Sequence, residues 1–190
     1  MVVVAGRYRL GPDRGRILLR TFRDGLAAQA GHDLTIEATR WSGELRVNDD
    51  LSPASLEVHI DLGAVVVRAG TGGVKPLTDR DRREIAVTMR KVLGDQHPEA
   101  VFTADKFRPG ADGGGEMSGT FTLRGQARPL RLRVEQTGTG RYRAETQVVQ
   151  SSYGIKPYTA FLGALRVRDA VDVAVELDLS DPPADPGTGQ

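Results

Sequence analysis

The sequence contains no cysteine among its 190 residues. Disulfide bonds, thiolate metal centres and cysteine nucleophiles are therefore excluded. Aromatic residues are also few, at 5% of the chain, with a single tryptophan. At this length the chain is expected to form one domain, with room for a large core or an enclosed cavity.

The chain also lacks an excess of charge of either sign. Its 26 Lys and Arg residues nearly balance 25 Asp and Glu residues, for a net charge of +1. This balance argues against nucleic acid as a partner. No apolar run approaches the roughly 20 residues that a membrane-spanning helix needs, so we expect no stable membrane insertion. The N-terminus does not resemble a signal peptide, and we expect a cytoplasmic protein.

Apolar and polar residues alternate along most of the chain. In one segment Leu130, Leu132 and Val134 alternate with Arg131 and Arg133. A period of two residues places the two sets on opposite faces of a strand. Segments of this kind predict about eight to ten strands, joined by glycine-containing turns that make neighbouring strands antiparallel. We therefore expect an all-β fold with one helix, in which the sheet closes into a barrel.

The one predicted helix follows a glycine-rich stretch, 69–76, which we expect to be a flexible loop. Thr78 is suited to cap the helix, acidic residues follow in its first turn, and Gly94 is expected to end it. Four apolar residues then share one face of the helix at a spacing of 3.6 residues per turn. They are Ile85, Met89, Val92 and Leu93.

Residues that commonly carry catalysis do not form a recognised pattern. The three histidines, His32, His59 and His97, show no metal-ligand spacing, so we predict no metal site and no cofactor. The serines at 151–152 lack the sharp glycine turn of a hydrolase nucleophile, so no catalytic residue is assigned. One alternative stays open, a small-molecule enzyme that uses His32 and Asp33 at the mouth of the barrel.

The inward face of the sheet is the remaining candidate site. A barrel of eight strands is just wide enough to fill itself with side chains or to hold one small ligand. Several inward positions are occupied by small residues, namely Ala38, Gly43, Gly119 and Ala144. The pattern leaves two possibilities: a cavity for an apolar ligand, or a closed-core barrel that acts through protein contacts, for instance as a homodimer.

Four segments resemble the YceI-like, polyisoprenoid-binding family, in the order in which the family has them. The most specific is FTLRGQARPL at 121–130, which is similar to the family's L-T-L-x-G-V-T-R-P-V hairpin. The other three are YRLGPD at 8–13, HPEAVFTA at 97–104 and SYGI at 152–155. Together they suggest a single YceI-like β-barrel domain over 1–179. The tail 180–190, rich in Pro and Gly, is predicted to be disordered.

The resemblance implies a lipocalin-like antiparallel β-barrel of about eight strands, with an amphipathic helix packed against it. It also implies a non-enzymatic protein that binds and sequesters or transports a long apolar ligand, a polyisoprenoid or another amphiphilic lipid. Tyr153 and Tyr158 are candidates either for the mouth of the barrel or for anchoring its loops. The predicted ligand-binding residues are Phe22, Ile36, Trp41, Leu45, Val58, Ile60, Met89, Phe121, Leu132, Val148, Ile155, Tyr158 and Phe161.

Overall fold

The structure is a computed structural model that describes residues 3–93, 97–110, 113–181 and 183. It contains fourteen strands and one α-helix within these ranges. The strands are β1 Gly6–Leu10, β2 Gly15–Thr21, β3 Arg23–Asp24, β4 His32–Ala38, β5 Trp41–Val47, β6 Pro53–Asp61, β7 Val65–Gly72, β8 Glu99–Pro109, β9 Gly115–Leu123, β10 Gln126–Gly138, β11 Arg141–Val149, β12 Thr159–Ala160, β13 Leu165–Val167 and β14 Ala170–Asp178. Helix α1, Asp79–Leu93, lies between β7 and β8 in the chain.

Eleven of the strands form one antiparallel sheet. Its order is β1-β5-β6-β8-β9-β10-β11-β14-β2-β4-β7, and a small second sheet contains β12, β13 and β3. The predicted mostly-β antiparallel fold with one helix is confirmed. A barrel of about eight strands is not confirmed as such, because the sheet has eleven strands.

Strands β4 and β5 follow each other in one line, and they pair with β7 and β6, which also follow each other in one line. Ala38 at the end of β4 pairs with Val65 of β7. Three residues later, Trp41 at the start of β5 pairs with Ile60 of β6. β4–β5 and β6–β7 therefore run as one long antiparallel hairpin that bends in the middle. On the other side of β4–β5, β1 pairs with β5 and β2 pairs with β4, so β1–β2 bends in the same way.

The sheet curls around its apolar face. One core cluster joins residues of β1 and β5, at one end of the strand order, with residues of β2 and β4 near the other end. This contact requires the sheet to bend back toward itself. The cluster consists of Tyr8, Leu10, Ile17, Ala38, Trp41, Leu45, Val47 and Leu179.

Short turns connect the strands at one end of the curled sheet, which we call the hairpin end. Longer loops and α1 connect them at the other end, which we call the helix end. At the hairpin end lie the turns 48–52 and 139–140 and the turn that follows Pro109. At the helix end lie α1 and the loops 22–31, 73–78 and 150–169. The two-residue turn Arg124-Gly125, where φ is 51° and 72°, joins β9 to β10 at the helix end. This confirms the predicted hairpin, since paired positive φ values are typical of a type I′ turn.

Helix α1 begins as its sequence predicts. The amide of Asp81 donates to Thr78 Oγ1 (3.2 Å), and the amide of Thr78 donates to Asp81 Oδ2 (2.8 Å). These reciprocal bonds form a capping box. The bonds that the carboxylate accepts from the amide and then from the hydroxyl of Thr78 lower the pKa of Asp81. Arg82 Nη1 donates to the carbonyl oxygen of Arg68 (2.8 Å), which holds the helix against β7.

Three sequence predictions concern loops and ends. Part of the predicted loop 69–76 is a strand instead, because β7 continues to Gly72 opposite His32 of β4. The predicted helix end at Gly94 lies outside the described residues. The same is true of the tail 180–190, apart from residues 180, 181 and 183. In the described ranges no helix is long and apolar enough to cross a membrane.

Candidate ligand-binding cavity

The curled sheet encloses a cavity of about 900 Å³. This volume is in the upper part of the range of roughly 300–1,000 Å³ that ligand pockets span. Inward-facing residues of the sheet form the wall, because alternation in each strand places its apolar set on this side. A filled barrel, which the closed-core alternative requires, would leave no such space.

Helix α1 closes part of the helix end. All four residues of the predicted apolar stripe line the cavity. Val92 and Leu93 also pack on a cluster that includes Ala100, Leu123 and Ile155. The helix thus buries its stripe by covering the end of the barrel interior, which is what an amphipathic helix requires.

Eleven of the thirteen predicted site residues line this cavity. They come from six strands, from α1 and from the loop 150–158, which are distant in sequence. The eleven are Ile36, Trp41, Leu45, Val58, Ile60, Met89, Phe121, Leu132, Val148, Ile155 and Tyr158. Their contact with a ligand stays a prediction.

Phe22 and Phe161 were wrongly placed in the cavity wall. Phe22 lies in the link between β2 and β3, and its ring lies under the guanidinium of Arg168, 5.6 Å from Cζ to the ring centroid. Phe161 is 66% exposed and begins a short 3₁₀ turn in which it has a φ of 51°. Both residues lie in links between strands, where a period of two does not determine the direction of a side chain.

The small inward residues have two different roles. Ala38 and Ala144 line the cavity, as predicted, but Gly43 and Gly119 do not. A Cβ on Gly43 would lie 2.6 Å from the carbonyl oxygen of Glu57, and one on Gly119 would clash with the carbonyl oxygen of Thr103. These glycines therefore let neighbouring strands approach closely, which favours a sharply curved sheet.

Several wall residues were not among the predicted site residues. Alternation had already assigned some of them, such as Leu34 and Leu56, to inward faces, so the signal was present. The polar residues Lys75, Gln150 and Arg166 gave no such signal, because they lie in or near irregular loops. Further apolar wall residues outside the predicted set are Leu19, Phe102, Leu123, Val171, Val173 and Val175.

Charge is distributed unevenly along the cavity wall. In the described ranges every charged side chain of the wall belongs to the helix end. At the hairpin end the wall is formed by apolar residues such as Val3, Leu51 and Val134. The cavity is therefore apolar over most of its length and polar at one end. The charged wall residues are Arg23, His32, Lys75, Asp81, Glu84 and Arg166.

We call the polar opening at the helix end the mouth and define it by His32, Lys75, Gln150, Tyr158 and Arg166. Three of these residues, Lys75, Tyr158 and Arg166, are exposed to solvent while also lining the cavity. The cavity therefore reaches solvent here. Tyr158, one of the two tyrosines considered for the mouth, lies at this opening.

Tyr153, the other tyrosine considered, does not line the cavity. It is buried and packs edge-to-face on Phe121, with 5.6 Å between ring centroids. Burial raises the pKa of the Tyr153 hydroxyl. Tyr153 packs against the cavity wall from outside, because its partner Phe121 lines the cavity.

His32 and Asp33 do not form an acid–base pair. They are consecutive in β4, so their side chains point to opposite faces. Nε2 of His32 lies 2.8 Å from the carbonyl oxygen of Lys75, and Asp33 Oδ1 accepts from the amide of Arg23 (2.8 Å). This geometry supports loop packing at the mouth and gives no base with its orienting acid.

The other charged groups on the sheet lie outside the cavity. His59 Nε2 is 2.6 Å from Glu57 Oε1, and its Nδ1 is 3.2 Å from Glu99 Oε2. Hydrogen bonds with Glu57 and then with Glu99 raise the pKa of His59. Within the described ranges no group of three or more His, Asp or Glu residues could hold a metal ion.

Comparison with known families identifies one match. The sequence profile of the YceI-like domain family matches residues 18–179. No curated protein sequence matches the chain.

Several solved structures share the fold at 14% sequence identity. The structure of BcnA from Burkholderia cenocepacia has a TM-score of 0.62 and covers 88% of this chain and 98% of its own. A polyisoprenoid-binding domain from Saccharophagus degradans, described as implicated in plant cell wall breakdown, has a TM-score of 0.55 and covers 91% and 97%. The YCEI protein of Campylobacter jejuni has a TM-score of 0.56 and covers 75% and 81%.

Proposed function

Because the chain belongs to the YceI-like domain family and its curled sheet surrounds an apolar cavity, we propose that it binds a long apolar ligand in that cavity. The ligand is a polyisoprenoid or another amphiphilic lipid, held with its chain along the wall and its polar group at the mouth. Sequestration or transport of this ligand is the function, and no catalysis is involved.

The observation that carries this proposal is the distribution of polarity along the wall. An apolar chain gains about 25 cal/mol for each Å² that it removes from water, and the wall offers it apolar contacts over most of the cavity. A polar group at its end would leave water at a cost unless it met partners. The polar residues of the mouth, such as Lys75 and Gln150, are suited to supply them.

A closed barrel of eight strands is part of this proposal. If β1–β2, β4–β5 and β6–β7 each count as one bent strand, the pairing leads around a ring: β14 pairs with β2, β2 with β4, and β5 with β6. Such closure would shield the ligand from water on every side.

Further aspects stay predictions. The similarity to a polyisoprenoid-binding domain supports an isoprenoid ligand, and the geometry of His32 and Asp33 favours a binding protein over an enzyme. A cytoplasmic location and a homodimer are not required by the proposal.

A blocking substitution tests the proposal. Ala144 is half-buried in β11 and lines the cavity, whereas its neighbour Glu145 is exposed on the opposite face. We expect Ala144→Phe to fill part of the interior and to weaken binding of geranylgeraniol at least about tenfold. Glu145→Phe adds the same ring outside and should leave binding unchanged. Titration followed by tryptophan fluorescence gives both affinities, and circular dichroism verifies the fold.

Equal affinity of the two phenylalanine variants would contradict a ligand inside the barrel. A lack of any geranylgeraniol binding by the unmodified protein, stripped of lipid, would contradict the proposed ligand class.

A further inference from the structure

Among the residues that the structure describes, the most exposed apolar side chains are at the helix end. Leu26 is 101% exposed and Leu162 is 110% exposed, so both project fully into solvent. Phe161, at 66%, stands beside Leu162 in the chain. We call Leu26, Phe161 and Leu162 the tip residues. Single exposed apolar residues are ordinary on a protein surface, but two adjacent ones that project from a loop are not.

The tip residues come from two loops that are joined to each other. The amide of Ala27 donates to the carbonyl oxygen of Ala164 (2.8 Å). In the small sheet, Asp24 of β3 pairs with Arg166 of β13, and Arg166 Nε lies 3.4 Å from Asp24 Oδ2. The loop that carries Leu26 and the loop that carries Phe161 and Leu162 therefore form one structural unit.

The backbone at Phe161 and Leu162 adopts a conformation that bulky residues avoid. Their φ angles are 51° and 54°, in the left-handed region that favours glycine. Neither side chain is buried, so packing in the core does not compensate for this conformation. Strained positions of this kind gather at functional sites. At this strained turn two large apolar side chains project into water.

This unit adjoins the mouth. Tyr158 and Arg166, which belong to the mouth, flank the 161–164 turn on either side. A Cβ on Gly31, in the loop of Leu26, would lie 2.7 Å from Leu165 Cδ1, and Leu165 lines the cavity. The tip residues thus stand next to the opening through which a ligand would enter.

The segment that bears Phe161 and Leu162 is locally basic. Three of the four charged residues between 154 and 169 are basic: Lys156, Arg166 and Arg168 stand against Asp169. All three basic side chains are exposed. The chain as a whole is nearly neutral, so this local excess distinguishes the segment.

From these observations we infer that the tip residues dock the protein on a lipid bilayer, with the side chains of Leu26, Phe161 and Leu162 inserted among the lipids and the mouth facing the membrane. The inference rests on the proposed function, because it gives the cavity a route to a membrane-dissolved ligand. Apolar side chains with neighbouring Lys and Arg are the pattern of interfacial membrane binding, and the basic residues favour anionic headgroups.

A bilayer fits this surface better than a protein partner does. A stable protein interface buries about 800 Å² on each side and has a packed apolar centre. The tip residues project singly from loop ends and do not form such a face. Projecting side chains can enter a fluid bilayer without a matching surface.

Binding of the full chain to lipid vesicles tests the inference. The protein is mixed with vesicles of phosphatidylcholine alone, and of phosphatidylcholine with phosphatidylglycerol, and the bound fraction is measured by flotation. We expect binding that is tighter to the anionic vesicles, and the double variant Phe161→Ser plus Leu162→Ser should weaken it at least about tenfold. Leu26→Ser should weaken it less, since it removes one side chain.

Val66→Ser is the control. Val66 is also an exposed apolar residue, but it belongs to β7 and does not line the cavity. This variant should bind vesicles as the unmodified protein does. Failure of the unmodified protein to bind either vesicle, or equal binding by the double variant, would overturn the inference. So would an equal loss in Val66→Ser. Self-association that the double variant abolishes, without vesicle binding, would overturn it in favour of a second copy.

Geranylgeraniol binding without vesicles is measured on the same preparations. If the unmodified protein takes up geranylgeraniol but does not bind vesicles, docking fails and the proposed function stands. If it takes up none, the proposed function itself fails. Unchanged uptake by the double variant also shows that its fold is intact.

Discussion

Single side chains on the outer surface of the sheet make the stability of the fold depend on pH. His59 on β6 has two carboxylate partners, Glu57 on its own strand and Glu99 on β8. Both raise the pKa of His59 above its value in the unfolded chain, so the protonated ring favours the folded state. This contribution is complete below the unfolded pKa of about 6.5 and is lost as the pH rises through the folded value.

We therefore predict that His59→Gln destabilises the protein at about pH 5.5 and has little effect at about pH 9. The three groups are largely exposed, so the difference should not exceed about 1 kcal/mol. Urea unfolding of both proteins at the two pH values measures it. His97→Gln, at an exposed histidine of the described ranges, is the control for removal of a surface imidazole. A His59→Gln effect of the same size at both pH values would be inconsistent with this explanation.

Which residues reach the cavity was predictable inside strands and not in the links between them. A period of two determined the direction of Ile36 and Leu132, because the strand geometry repeats. Phe22 and Phe161 lie where the chain turns, so the strand geometry does not determine their directions. Gly43 and Gly119 do not line the cavity, although alternation assigned them to the inward face. A sequence does not show which neighbouring carbonyl a missing side chain would meet.

Helix α1 is the element that connects stability with access to the cavity. Its apolar stripe packs toward the interior of the curled sheet, and the hydroxyl of Thr78 at its N-terminus accepts from the amide of Asp81, which would otherwise lack a partner. The helix was predictable from its spacing and its capping residue. Its position across one end of the barrel was not, since spacing identifies the buried face without showing what covers it.

We expect Thr78→Ala to lower the free energy of unfolding by about 1 kcal/mol, as the loss of a helix cap typically does. The helix should then open more often, with faster amide exchange in residues 79–93 and faster release of bound geranylgeraniol. Hydrogen exchange by mass spectrometry and a chase with unlabelled ligand measure the two rates. Thr78→Ser keeps the capping hydroxyl and should resemble the unmodified protein. Unchanged exchange in Thr78→Ala would show that packing alone holds the helix.

The whole molecule combines a long curled sheet with a cavity that is apolar inside and polar at one end. Alternation along the strands was enough to predict an antiparallel β fold, and four segments in the family's order, of which 121–130 is the most specific, were together enough to indicate the family. The volume of the cavity was not predictable. It depends on how the bent strands curve and on how far α1 enters, and both depend on contacts between residues that are distant in sequence.

The most direct test of the proposed carrier role is mass spectrometry of an organic extract of the protein purified from cells. We expect a long-chain apolar species at about one molecule per protein, and a much smaller amount from Ala144→Phe prepared in the same way. Glu145→Phe should retain the full amount. Repeated preparations of the unmodified protein that contain no such species, or an equal amount in Ala144→Phe, would contradict binding of a long apolar ligand in the cavity.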